Sequence, residues 1–131
     1  MSNLGELHKR IKQIQSRVLQ EYHISLMEYH IMVIMSRIRD VSQNDIAEAL
    51  EVDKALISRQ IRAMEQKGLL SCDPDPGCRR RKVLYLSEKA QSLVPRLDEL
   101  HQSCLREIFS DVEEAQILEL QIILEGLVSK I

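Results

Sequence analysis

Residues 41–86 read VSQNDIAEALEVDKALISRQIRAMEQKGLLSCDPDPGCRRRKVLYL, and this stretch decides the fold. Its composition predicts a short helix, a tight turn, a second helix, a glycine stop and two strands joined by a basic turn. Ser42 is a good N-cap for the first helix, and Asp45 follows three residues later, in a variant of the capping box. Asp53 caps the second helix, and Gly68 ends it, because glycine readily adopts the positive φ common at C′.

The second of these helices has one apolar stripe and one polar face. Ile57, Ile61 and Met64 recur at i, i+4 and i+7, so they lie on one side of the helix. A helix, a turn, a second helix and a basic hairpin are the parts of a winged helix-turn-helix, which puts one helix in the DNA major groove. The pattern therefore predicts binding to double-stranded DNA, with a recognition helix at about 53–67 and a wing at about 69–86.

The distribution of charge agrees with this prediction, although the net charge of the chain is −2. Residues 54–82 carry eight basic and three acidic side chains, whereas residues 111–131 carry one basic and five acidic side chains. The local field, and not the net charge, governs attraction to phosphates. We therefore expect the basic segment to face DNA and the acidic end to face away from it.

Two segments, QNDIAEALEVDKALISRQIRAMEQKGLL and PDPGCRRRKVLYLSEKA, resemble the MarR (multiple antibiotic resistance regulator) family of dimeric winged-helix transcription regulators. The resemblance extends over nearly the whole chain, because helices of the right kind flank both segments. It implies a sequence-specific regulator, most simply a repressor, that binds a near-palindromic site as a homodimer. One position departs from the family: Cys78 stands where an Asp usually steadies the wing, two residues before the DNA-contacting Arg80.

The expected DNA contacts fall in three segments. Ser42 and Gln43 would contact phosphate at the start of the first helix. The recognition helix would divide its contacts between phosphates and base edges, with Arg59 as the candidate for a bidentate guanine contact; its candidate residues are Lys54, Ala55, Leu56, Ser58, Arg59 and Arg62. The wing would contribute Arg79, Arg80, Arg81 and Lys82, with Arg80 reaching a minor groove as the resemblance implies. Any of these could instead be a solvated side chain.

Apolar residues at helical spacing continue on both sides of this region. Ser25 and Glu28 form a capping box before an apolar helix. Pro95 predicts a kink or break in a long helix that follows the wing, and residues 110–113 form a further capping box before a last helix. The expected fold is mainly α with a small β-hairpin wing, a winged helix-turn-helix of about six helices in an intertwined homodimer.

The domain organisation follows from the same pattern. Residues 1–131 form a single domain, in which residues 25–86 are the DNA-binding region. Residues 1–24 and 87–131 are the helical dimerisation region, because they carry more apolar surface than one small winged domain could cover. An intramolecular helical cap is the alternative.

Two features bear on regulation. Cys78 lies among arginines at an exposed turn, where a lowered thiol pKa is plausible, so its oxidation could weaken DNA binding; the alternative is a small packed side chain. Tyr22, His23, Tyr29 and His30 lie near the expected crevice between the first two helices, where a small-molecule effector could bind. Core packing or plain exposure is the alternative for these four residues.

Other functions find little support. No nucleophile–base pair, phosphate loop, cofactor motif or metal-ligand spacing occurs, so an enzyme or a zinc protein is not expected. No apolar run approaches the ~18 residues of a membrane span, and no signal peptide is visible, which predicts a cytoplasmic protein. A winged-helix protein-interaction module that has lost DNA binding is the alternative to a DNA-binding regulator.

Overall fold

The computed structural model describes residues 2–75 and 77–131, with the backbone alone at residues 75 and 78–80. Within them, six helices and one antiparallel hairpin follow in the predicted order, which confirms the predicted winged helix-turn-helix, mainly α with a small β-hairpin; the homodimer stays a prediction. The elements are α1 (Asn3–Gln20), α2 (Leu26–Arg37), α3 (Gln43–Leu50), α4 (Lys54–Gln66), β1 (Leu70–Asp75), β2 (Cys78–Leu86), α5 (Glu88–Ile108) and α6 (Glu114–Lys130).

Two helices begin at reciprocal capping boxes, as predicted. At α2, the Glu28 N–H donates to Ser25 Oγ at 3.1 Å, and the Ser25 N–H donates to Glu28 Oε1 at 2.9 Å. At α3, Asp45 and Ser42 exchange the same pair of bonds at 3.2 and 2.9 Å. Each box satisfies two backbone N–H groups that a helix start leaves without an intrahelical partner.

The predicted capping box at residues 110–113 is wrong. The Ser110 hydroxyl donates to the Glu107 carbonyl at 2.9 Å, so it closes the end of α5 rather than opening α6. Glu113 is the N-cap of α6, and its N–H donates to the Gln116 side chain at 3.4 Å. Of the kink or break expected near Pro95, the break is wrong, because α5 continues through this residue.

The hairpin of β1 and β2 lies within the segment predicted as the wing, about residues 69–86. β1 and β2 pair from Leu70 opposite Leu86 to Pro74 opposite Lys82, with an irregularity in register after Pro74. The Leu84 N–H donates to the Val41 carbonyl at 2.9 Å. This bond attaches β2 to the connection between α2 and α3.

The chain forms two compact units, Met1–Asp98 and Glu99–Ile131. The core of the first unit joins fully buried side chains of α2, α3, α4, the hairpin and the first half of α5: Ile31, Met32, Ile46, Ile57, Ile61, Met64, Val83 and Leu97. In the second unit, no residue of α6 is buried. Within the described part of the chain, no helix is long and apolar enough to cross a membrane.

Candidate nucleic-acid interface

One face of α4 is buried and the opposite face is open to solvent. Ile57, Ile61 and Met64 have no exposed surface. The predicted contact residues Ala55, Arg59 and Arg62 repeat the same spacing on the other side and are exposed, as is Lys54, whereas Leu56 and Ser58 are half-buried. The burial of one stripe thus fixes which side chains α4 presents outward.

The start of α4 is stabilised by a side-chain cap. Asp53 Oδ1 accepts a hydrogen bond from the Ala55 N–H at 3.0 Å, as the sequence predicted. A capping residue of this kind typically contributes about 1 kcal/mol to helix stability. The cap holds the first turn of α4, and with it Lys54, in helical geometry.

A cleft of about 820 Å³ lies between the start of α3, the exposed side of α4 and the hairpin. It collects six of the twelve predicted DNA-binding residues: Ser42, Gln43, Ser58, Arg62, Arg81 and Lys82. Asp45 and Glu65 also line the cleft, so its charge is mixed. Three separate sequence segments therefore meet at one groove, although not all of its basic groups are directed at an external partner.

Arg81 is bonded to the protein itself. Its Nη2 donates to Asp45 Oδ2 at 2.8 Å and to the Asp40 carbonyl at 2.8 Å. The sequence did not reveal this pairing, because Arg81 was one of four consecutive basic residues with no distinguishing neighbour. Lys82 is exposed beside it. The side chains of three other predicted residues, Cys78, Arg79 and Arg80, lie outside the part of the chain that is described.

The carboxylate of Asp45 joins the α3 cap to the hairpin. Hydrogen bonding from the Ser42 backbone N–H, and then from Arg81, holds the pKa of Asp45 below its usual range. Ser42 is buried, and its hydroxyl accepts from Asp45 N–H, so its side chain acts as a cap; Gln43 beside it is half-buried.

The two predicted effector-site tyrosines bond to α5. Tyr29 is buried, and its hydroxyl donates to Asp98 Oδ1. Burial and the Asp98 carboxylate raise the pKa of Tyr29. The half-buried Tyr22 accepts a hydrogen bond from Arg96 Nε at 2.8 Å. Both tyrosines thus connect the α1–α2 corner to α5.

The two predicted effector-site histidines are exposed. His30 packs its ring 5.8 Å from that of Tyr29, and His23 lies in the α1–α2 connection at φ 57°. A surface cavity of about 950 Å³ does run along α1 and the start of α2, but neither the histidines nor the tyrosines line it. Its basic residues are His8, Lys9, Lys12 and Arg17.

The two cysteines with described side chains are free thiols, both half-buried. Cys72 Sγ donates to Glu65 Oε1 at 3.3 Å. Burial, reinforced by the Glu65 carboxylate, raises the pKa of the Cys72 thiol to about 11. Cys72 is therefore a thiol and not a thiolate at neutral pH, which makes it a poor nucleophile.

The ion pair between Lys67 and Glu28, at the C-terminal end of α4, was not predicted from the sequence. Lys67 Nζ donates to both carboxylate oxygens of Glu28, at 2.8 and 3.0 Å. Glu28 is only 2% exposed. The capping box with Ser25 already explained why a glutamate stands at position 28, so a second partner was not expected.

Comparison with known proteins finds similarity to the MarR family. The MarR family model matches residues 24–82. A transcriptional regulator of the helix-turn-helix type from Clostridioides difficile, BilQ, is 24% identical over 116 residues, which cover 86% of this chain and 78% of BilQ.

Solved structures share the fold. The Staphylococcus aureus MepR–DNA complex superposes with a TM-score of 0.85 at 22% identity, covering 98% of this chain and 95% of MepR. A MarR transcriptional regulator from Methanosarcina mazei gives 0.86 at 20% identity, covering 97% and 91%. All three proteins are named as regulators and none as an enzyme. Residues 24–82 are thus similar to the MarR family, and the chain shares the fold of these solved transcription regulators.

Proposed function

We propose that this protein is a sequence-specific DNA-binding repressor that binds a near-palindromic site as a homodimer. The observation that carries the proposal is the outward face of α4, where Ala55, Arg59 and Arg62 lie opposite the buried stripe of the same helix. A rigid helix with arginines on its free side and a basic hairpin beside it has the parts needed to read a major groove. The presence of DNA in the MepR structure of the same fold supports this use of the fold.

The residues divide into phosphate-contacting and base-reading groups. Gln43 and the start of α3 would bind phosphate through backbone and side-chain donors. Lys54 and Arg62 would flank the groove on phosphates, and Arg59 would bind guanine through O6 and N7. Ala55 and Leu56 are apolar and would meet thymine methyl groups, with Ser58 as a further donor.

The wing would act beside the recognition helix. Lys82 is exposed on β2 and available to phosphate. Arg79 and Arg80 precede it in the basic run, and Arg80 would enter a minor groove. Arg81 differs from its neighbours, because its guanidinium bonds Asp45 and the Asp40 carbonyl. Its contribution would be to steady the wing from behind the contact surface.

Homodimerisation would use the exposed apolar surface of α6. Ile122 is 70% and Val128 74% exposed, and several further leucines and isoleucines of this helix are open to solvent. An apolar patch of this kind marks an association surface in a soluble protein. A second copy of the chain would cover it and relate two copies of α4 by a two-fold axis, which suits half-sites about one helical turn apart.

Binding of a small ligand or oxidation of Cys78 would release the protein from DNA. A ligand that took the hydroxyl of Tyr22 or Tyr29 would remove a bond from these residues to Arg96 or Asp98 and so loosen α5 from the α1–α2 corner. A regulator of chromosomal DNA of this kind would work in the cytoplasm.

Footprinting on the duplex upstream of the protein's own gene tests the proposal. Two protected segments, related by dyad symmetry and centred about one helical turn apart, are the expected result. Uniform weak protection, or none at low salt, would contradict sequence-specific binding and favour a protein-interaction module.

A further inference from the structure

The buried carboxylate of Glu28 accepts three hydrogen bonds, two from the Lys67 ammonium and one from the Ser25 N–H. Lys67 Nζ lies 2.8 Å from Oε1 and 3.0 Å from Oε2, and the Ser25 N–H donates to Oε1 at 2.9 Å. The same ammonium donates to the His23 carbonyl at 2.9 Å. The Lys67 ammonium therefore donates three hydrogen bonds, two to Glu28 and one to the His23 carbonyl. Glu28 is only 2% exposed, so its negative charge needs this cation as a partner.

The position of this cluster links two parts of the molecule. Lys67 is the C-cap of α4, Glu28 lies in the first turn of α2, and His23 lies in the connection between α1 and α2. One side chain therefore attaches the end of the candidate recognition helix to the corner where α1 meets α2. The helix dipole adds to this arrangement, because a cation is favourable at the carboxyl end of α4.

The hydrogen bonds of Lys67 to Glu28 and His23 give α4 a directional attachment, which the apolar core under the helix does not provide. Burial of Ile57, Ile61 and Met64 holds α4 against the protein, but hydrophobic attraction is non-directional and tolerates small rotations or shifts of the helix. Bonds to two carboxylate oxygens and one carbonyl are directional, so they oppose axial shifts and rotations of the end of α4. A recognition site needs its side chains held to within about 0.5 Å.

We propose that Lys67 is a positioning residue for base reading: its bonds to Glu28 and the His23 carbonyl align the outward face of α4 with the major groove. The inference rests on the proposed DNA binding. Lys67 lies eight residues after Arg59, or roughly 12 Å along the helix axis. Lys67 would therefore act by positioning the helix, and Arg59 would contact the bases.

The test compares two variants of the ion pair, and in Glu28→Gln the charge effect and the positional effect have opposite signs. Glu28→Gln keeps the side-chain shape and removes a negative charge, which by charge alone would tighten binding to DNA. Lys67→Met removes a positive charge and both sets of bonds. Glu21→Gln, at an exposed C-cap of α1, and Lys89→Met, at an exposed position of α5, are the matched controls.

The readout is the ratio of affinities for a footprinted site and a shuffled duplex, at two salt concentrations. We expect both Glu28→Gln and Lys67→Met to lower this ratio by roughly threefold to thirtyfold. The slope of affinity against salt should stay at the wild-type value, because neither residue contacts phosphate. The double variant should lose little more than Lys67→Met alone, and the controls should not change the ratio.

Each contrary result is distinguishable. A ratio unchanged in both variants would overturn the inference while leaving DNA binding intact. A salt slope reduced by about one in Lys67→Met would identify a phosphate contact and also overturn it. Failure of the wild type to prefer the footprinted site would overturn the proposed function. If Lys67→Met does not fold, Glu28→Gln decides, since it retains the acceptor for the Ser25 N–H.

Discussion

Arg81 and Asp45 join the hairpin to α3 through a 2.8 Å contact between Nη2 and Oδ2. The same oxygen accepts the Ser42 N–H at 2.9 Å, so one carboxylate caps the helix and anchors the wing. This chain has Cys78 where the resemblance to the MarR family implies a steadying Asp. The Arg81–Asp45 pair holds the wing strand from a different position.

The first prediction concerns DNA affinity. Asp45→Asn removes a negative charge from the groove, so charge alone would strengthen binding. We expect weaker binding, because the wing loses its ion pair and α3 loses part of its cap. Glu48→Gln removes the same charge from an exposed position of α3 and is the control. Fluorescence anisotropy measures both; tighter binding by Asp45→Asn would show that the pair does not position the wing.

The second prediction concerns stability and pH. The pKa of Asp45 is lowered in the folded protein, so its stabilising contribution is present above its unfolded pKa of about 4 and is lost as pH falls through the folded value. Urea unfolding from pH 7 to pH 3 should show the gap between wild type and Asp45→Asn closing on acidification. The ion pair itself should account for under about 1 kcal/mol, since both partners are substantially exposed. A gap that stays constant with pH would contradict the assignment.

The third prediction concerns base reading by Arg59. Arg59→Ala should cost about 1–3 kcal/mol on the specific site and relax discrimination at one base pair in each half-site. Binding to a panel of single-base-pair variants measures this. Arg106→Ala, at an exposed position of α5, controls for loss of one positive charge. An equal loss of affinity on every duplex would make Arg59 a phosphate contact.

The fourth prediction concerns α6. The wild type should sediment as a dimer at micromolar concentration. Replacing Ile122 and Val128 together by Glu should give monomers, because charged groups would have to be buried in the interface. Gln121→Glu introduces a charge at a polar exposed position of the same helix and should leave the dimer intact. A monomeric wild type, or a dimeric double variant, would contradict this interface.

The fifth prediction concerns thiol oxidation. Hydrogen peroxide oxidises thiolates first, and the arginines around Cys78 in the sequence favour its thiolate. Peroxide should weaken DNA binding by the wild type and also by the Cys72→Ser variant. Cys72 is not expected to react, because the pKa of its thiol is raised to about 11. Cys78→Ser should be insensitive. Unchanged affinity of the peroxide-treated wild type would exclude Cys78 as a switch.

The sequence revealed features that depend on near neighbours in the chain. The capping box at Ser42, the stripe at Ile57, Ile61 and Met64 and the glycine stop at Gly68 all arise from residues within one or two helical turns. The prediction of the N-cap of α6 was wrong because the local sequence allows two positions. Ser110 and Glu113 both have capping sequences around them, and the choice depends on where α5 ends.

Interactions between distant residues were not predictable. Arg81 and Asp45 are 36 residues apart, Lys67 and Glu28 are 39 apart, and Tyr29 and Asp98 are 69 apart. Each pair forms only once the helices have packed, and each residue has several equivalent partners of the same charge in the sequence. The exposed face of α4 was predictable because one buried stripe determines it; the fastening of that helix and of the wing was not.

The most direct test of DNA reading by α4 is fluorescence anisotropy of wild-type protein on the duplex upstream of its own gene, against a shuffled duplex, at two salt concentrations. We predict binding to the upstream duplex at least about 10³-fold tighter than to the shuffled one, and affinity that falls steeply with salt on both. Equal affinity for the two duplexes, or no binding at the lower salt concentration, would contradict sequence-specific recognition by this fold.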